Sequence, residues 1–118
     1  MSYKPTHFKI TETRCKCGRC TGATATQQLK DEILFRLDLL RIMVNMKVTV
    51  TSGWRCAAHN AASGGSAKSY HLQGRAADIT CSDMPRLFAA VDRLKNIHGL
   101  DFVEIIKYPE RGFLHVAR

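Results

Sequence analysis

Only 3 prolines and 1 tryptophan occur in the 118 residues, and acids are outnumbered, with Asp and Glu at 10 against 18 Lys and Arg. So few prolines exclude a proline-rich linker or a polyproline ligand. No apolar run approaches the roughly 20 residues of a membrane span, and the opening MSYKPTHFKITETR has no apolar core of the kind a secretory leader needs. We therefore expect a chain made in the cytoplasm, with no membrane span, that reaches any extracellular target by a route other than a signal peptide. The length suits one domain with a modest core, residues 1–118, and 45% hydrophobic with 24% charged residues is an ordinary globular balance. A monomer is expected.

The shortage of acids leaves a formal charge of +8, which favours an anionic partner. Nucleic acid and the acidic polymers of a bacterial wall both qualify on charge. The basic residues are scattered, however, and the aromatics do not interleave with them as in a single-strand binder. Nucleic acid is not the expected partner.

What is present is concentrated in SGWRCAAHNAASGGSAKSYHLQGRAADIT, Ser52 to Thr80. His71 and Asp78 stand seven apart with Gly74 between them, and His115 follows late in the chain. A catalytic zinc takes three protein nitrogen or oxygen ligands and keeps a fourth position for water, whose pKa drops to about 7. His71, Asp78 and His115 meet that count. Seven residues is too far for one helical turn, so Gly74 must turn the chain between a loop histidine and a strand aspartate. The same pair is also what a buried structural histidine and an ordinary strand-end aspartate would give.

The wider pattern is more specific. Ser69-Tyr70-His71-Leu72-Gln73-Gly74-Arg75-Ala76-Ala77-Asp78 has the form S-x-H-x-x-G-x-A-x-D, preceded by Ser52-Gly53-Trp54-Arg55 and Gly64-Gly65 and followed by Phe113-Leu114-His115-Val116. Together with the opening segment His7-Phe8-Lys9-Ile10-Thr11-Glu12, this resembles the zinc D-Ala-D-Ala carboxypeptidase family, which includes phage endolysins, over nearly the whole chain. The zinc-bearing signalling domain of hedgehog proteins shares that scaffold. The resemblance implies zinc on His71, Asp78 and His115, with Arg55 near a substrate carboxylate and a peptidoglycan stem peptide as substrate. It implies action at the bacterial cell wall, in a phage or prophage setting. The alternative from another class is a weakly active or inactive zinc module that recognises wall peptide or builds a phage particle.

A peptidase of this kind also needs a group to take and return a proton. Where much of the family carries an acid, three before the late histidine, this chain has Gly112; two after it, where close relatives carry another, it has Ala117. Glu110 on the turn is then the first candidate, and Glu104 the second. Ser69 is expected to contact substrate or orient a ligand, Trp54 to pack beside the cleft, and His59 to be structural or substrate-facing.

Cys15, Cys17 and Cys20 place three thiols in six residues. They read either as reduced cysteines in a packed loop or as a second, structural zinc whose fourth ligand would be His7, Cys56 or Cys81. A disulfide would need an oxidising compartment.

Periodicity gives an α+β fold, a small antiparallel sheet with helices on one face. Leu29, Ile33, Leu37, Leu40 and Val44 mark a helix from about Gln27 to Asn45 with Thr26 as N-cap. Strands are expected over Lys47–Ser52 and Arg75–Thr80, and a short helix over Cys56–Asn60 before a glycine-bearing loop, Ala61–Lys68. A helix capped by Ser82 should run to about Asn96, with Leu87, Val91 and Leu94 inward. Asp101–Tyr108 and Phe113–Ala117 should form a hairpin around 109–112. Pairing Tyr108 with Phe113 sets Ile106 opposite His115 and Glu104 opposite Ala117, and so puts Glu104 and His115 on one face.

Overall fold

The computed structural model describes residues 4–18, 20 and 27–118. It is an α+β fold in which α1 (Asp31–Val44), α2 (Ala57–Ala62) and α3 (Met84–Leu94) accompany a sheet of β1 (Val48–Ser52), β2 (Ala76–Cys81), β3 (Glu104–Tyr108) and β4 (Phe113–Ala117). Every pairing is antiparallel, in the order β1-β2-β4-β3. Among the described residues no helix is long and apolar enough to cross a membrane.

The core follows the two periodicities. Ile33, Leu37, Leu40 and Val44 of α1 and Leu87, Val91 and Leu94 of α3 meet Val48, Val50, Ala77, Ile79, Leu114 and Val116 of the sheet, all buried. Complete burial of each large aliphatic side chain contributes about 1.5–3 kcal/mol, so this one face carries most of the driving force. Strand alternation sends the residues between them to the opposite face.

Helix α1 begins later than its apolar pattern suggests. Lys30 is still extended, and its N–H donates to the Gly74 carbonyl at 2.7 Å. That bond holds the preceding chain out of the helix, so Leu29 fills the core from an extended segment. The expected cap, Thr26, lies outside the described residues, and the position before the first turn is Lys30, with no side-chain cap. Asp31 and Glu32 in the first turn complement the helix dipole instead. At the other end Asn45 is left-handed, φ 52°, and its N–H closes onto Arg41 and Ile42.

Two charges within α1 are buried. Arg36 is 1% exposed and bonds the Glu32 carboxylate, the Asp101 carbonyl at 2.8 Å and the Gly99 carbonyl at 3.1 Å. Asp38 accepts from the backbone N–H groups of Thr6 and His7 at 2.9 and 3.1 Å, tying the N-terminal segment to the helix.

Helix α3 is capped by Asp83 rather than Ser82, since it is the Asp83 carboxylate that accepts from the Arg86 N–H, at 3.1 Å. The helix stops at Leu94, where tighter turns close through Asn96 and Ile97. The hairpin has the expected register, Tyr108 opposite Phe113, Ile106 opposite His115 and Glu104 opposite Ala117. Its first strand starts only at Glu104, because the Gly99 and Asp101 carbonyls are turned toward Arg36.

Candidate metal centre

β2 and β4 are the two central strands, and Asp78 lies directly opposite His115. Their neighbours Ala77, Ile79, Leu114 and Val116 fill the core, so alternation turns both side chains to the face away from α1 and α3. His71 comes from outside the sheet, on a 3-10 turn, Tyr70–Gln73. The Ser69 hydroxyl opens that turn by accepting the His71 N–H at 3.2 Å, and Gly74, at φ 69°, reverses the chain into β2. A side chain on Gly74 would meet the Gln28 carbonyl oxygen at 3.0 Å as well as a strained backbone. Trp54 packs behind the turn and donates its indole N–H to the Leu72 carbonyl at 3.2 Å.

A backbone hydrogen bond fixes the tautomer of His71. His71, 2% exposed, has Nδ1 2.8 Å from the Gly53 carbonyl, an acceptor only, so Nδ1 carries the proton and Nε2 faces Asp78 Oδ1 at 3.3 Å. His115 has Nε2 2.8 Å from Glu104 Oε1 and Nδ1 2.9 Å from Asp78 Oδ1. Both ring nitrogens of His115 thus face carboxylates, so with Nε2–H given to Glu104 its Nδ1 can present Asp78 with either a proton or, once that proton is displaced, a lone pair. His71 Nε2, His115 Nδ1 and Asp78 Oδ1 thus converge on one point, an arrangement suited to a cation, whether proton or metal.

The donor set fits zinc. Ligand bonds of about 2.0–2.2 Å in a tetrahedron put donor atoms roughly 3.3 Å apart, and the three atoms here lie within 4.8 Å of one another, with Asp78 Oδ1 at 2.9 and 3.3 Å from the two nitrogens. The electrostatics agree. Burial raises the Asp78 carboxyl, but hydrogen bonds and charge from His115 and His71 outweigh it and hold the group well below the usual carboxylate range. Burial lowers His115, yet Asp78 and Glu104 together raise it above its ordinary 6.5. A proton is drawn to this point for the same reason that a metal would be.

Arg55, just past β1, spreads its guanidinium over Ser52 Oγ at 3.0 Å, Asn60 Oδ1 at 3.3 Å and Asp78 Oδ2 at 3.4 Å. It engages the outer carboxylate oxygen and leaves Oδ1 to the convergence point. Asn60 is a buried partner that the sequence reading did not single out; nothing in AAHNAA marks it, and its role appears only where Gly65 packs flat against its side chain and Ser66 accepts its amide.

The three donors open into a cleft of about 560 Å³, lined also by Arg55, Ser69, Glu104 and the basic residues Lys68 and Arg111. Glu104 is therefore at the site, on the side of the His115 ring remote from Asp78. Glu110 is exposed on the turn and lines a separate small hollow with Lys107 and Pro109. His59 is not among the cleft residues, and its backbone N–H meets the Cys56 sulfur.

All five cysteines carry thiols rather than disulfides. Cys15, Cys17, Cys20 and Cys56 gather with every sulfur within 4.8 Å of the others. Of the three expected fourth partners the structure brings in Cys56; His7 sits beside Asp38, and the Cys81 thiol meets the Asp83 carbonyl. Hydrogen bonding to Cys17, then burial and the other two thiols, push the Cys20 thiol up to about 12.

No curated protein matches the chain. The sequence profile described as Peptidase M15 matches residues 6–117, and the chain belongs to that family.

Proposed function

We propose, from membership of the peptidase M15 family, that this protein is a zinc-dependent peptidase that hydrolyses a peptide bond in bacterial wall stem peptides. One observation carries the reading: His71 Nε2, His115 Nδ1 and Asp78 Oδ1 converge at the floor of an open, cation-rimmed cleft. Zinc bound there would act as a Lewis acid on the carbonyl and lower the pKa of water. The chain's own groups do the remainder. Arg55 has guanidinium N–H groups beyond those given to Ser52, Asn60 and Asp78, and with Lys68 and Arg111 it suits a substrate bearing free carboxylates. Ser69 sets the His71 turn. Among the described residues Glu104 is the one cleft acid besides the ligand Asp78, so proton transfer falls to it rather than to Glu110.

A second reading, a zinc module that binds wall peptide without cutting it, is favoured by the engagement of Glu104 Oε1 with His115 and by Gly112 and Ala117 at positions where relatives carry acids. Turnover of a stem peptide by zinc-loaded protein, abolished in His71→Ala, supports the peptidase. Saturable binding of the peptide with no product over long incubation supports the module.

A further inference from the structure

We propose that Cys15, Cys17, Cys20 and Cys56 hold a second, structural zinc that clamps the N-terminal segment onto the loop carrying Arg55. Four thiolates at about 2.3 Å from zinc in a tetrahedron stand roughly 3.8 Å from each other. Here Cys17 and Cys20 have sulfurs 3.4 Å apart, Cys56 and Cys17 3.8 Å, and all four fall within 4.8 Å. Donors are already aimed at the sulfurs. The Cys56 N–H points at the Cys15 sulfur and the His59 N–H at the Cys56 sulfur, each at 3.4 Å, the outer-shell bonding that steadies metal thiolates. Gly18, at φ 73°, supplies the turn that lets Cys17 and Cys20 face one centre.

The clamp bears on the cleft. Cys56 follows Arg55, which holds the outer oxygen of Asp78. The same loop gives the Gly53 carbonyl to His71, while its Trp54 N–H bonds the Thr13 carbonyl at 2.9 Å. Gly53 lies so close to the Thr13 backbone that any side chain there would overlap it. Thr13 is fully buried and only two residues before Cys15. A metal on the four sulfurs would therefore fix, through 53–56, two of the groups that orient the other centre. It does no chemistry itself, since four protein ligands close the coordination sphere.

The test uses the full chain, reduced and stripped of metal, then loaded with zinc or cobalt(II). Zinc analysis should give two ions per chain for wild type, one for His71→Ala and one for Cys17→Ser. Cobalt-loaded His71→Ala should show the intense thiolate-to-metal charge-transfer bands, and Cys17→Ser should lack them. A thiol reagent should count five reactive cysteines without metal and one, Cys81, with zinc. Should Cys17→Ser fail to fold, the cobalt spectrum and thiol count of His71→Ala decide alone. No charge-transfer bands in His71→Ala, or five thiols still reactive with zinc present, overturns the proposal. No substrate enters the test, so its result is independent of whether the cleft hydrolyses peptides.

Discussion

Replacing Glu104 by alanine separates the two duties that the geometry allows it. Its Oε1 lies 2.8 Å from His115 Nε2, and with a metal on Nδ1 it would take the Nε2–H, fixing the ring and making Nδ1 a stronger donor. Loss of such an outer partner typically weakens metal binding 10–100-fold, or about 1.4–2.7 kcal/mol. The Glu104 side chain is 40% exposed, so water both screens the bond and replaces part of it, and the expected loss is near the lower end, about 10-fold. A chelator competition titration, with Glu104→Gln alongside, measures it; glutamine keeps a carbonyl acceptor and should lose less. Turnover should be followed at zinc concentrations that saturate each variant. Zinc affinity in Glu104→Ala equal to wild type would refute the orienting role, and if turnover vanished at the same time the carboxylate would be acting on the proton alone.

Three further outcomes are expected. Gly74→Ala forces a side chain into a left-handed position at φ 69° beside the Gln28 carbonyl, which should cost about 1–2 kcal/mol or more; an unchanged denaturation midpoint would count against it. Arg36→Met strips charge-assisted bonds from the Gly99 and Asp101 carbonyls and should cost about 3 kcal/mol, seen in urea unfolding as a lower midpoint with similar slope. In metal-free protein, His115 is raised, so its bonds stabilise fully below about pH 6.5 and fade as pH climbs through the folded value. Asp78 is lowered, so its contribution is present above about pH 3.9 and is lost as pH falls through its folded value. Stability without metal should therefore peak between those limits, whereas zinc, which competes with the proton at His115, should remove the decline on the alkaline side; a metal-free protein whose melting temperature is flat from pH 5 to pH 9, roughly, would contradict this.

What the sequence shows of this fold is whatever repeats locally. The apolar spacing of Leu29 to Val44 and of Leu87 to Leu94 identifies the core faces, and a single assumption about the Tyr108–Phe113 turn propagates by strand alternation to place Glu104 beside His115. The His71, Asp78 and His115 grouping is legible because its motif specifies spacing and turn residues together. Features set by distant chain are not. Leu29 is core from an extended segment because of Gly74, and Arg36 and Asp38 look like solvated charges until the 99–101 loop and residues 6–7 fold over them. Glu110 is near His115 in sequence but sits exposed on the hairpin tip, outside the cleft lining, and the cap of α3 moves one residue because it is the Asp83 carboxylate that reaches the Arg86 N–H.

The direct opposition of Asp78 and His115 across β2 and β4 makes their separation a property of sheet spacing, about 4.5–5.5 Å between Cβ atoms. The hairpin tip at 109–112 hangs off the far end of that ladder and brings Arg111 to the cleft mouth. Its length and chemistry are thus free to vary without disturbing the Asp78–His115 pair, and regrafting that tip is the natural way to reshape access to the cleft.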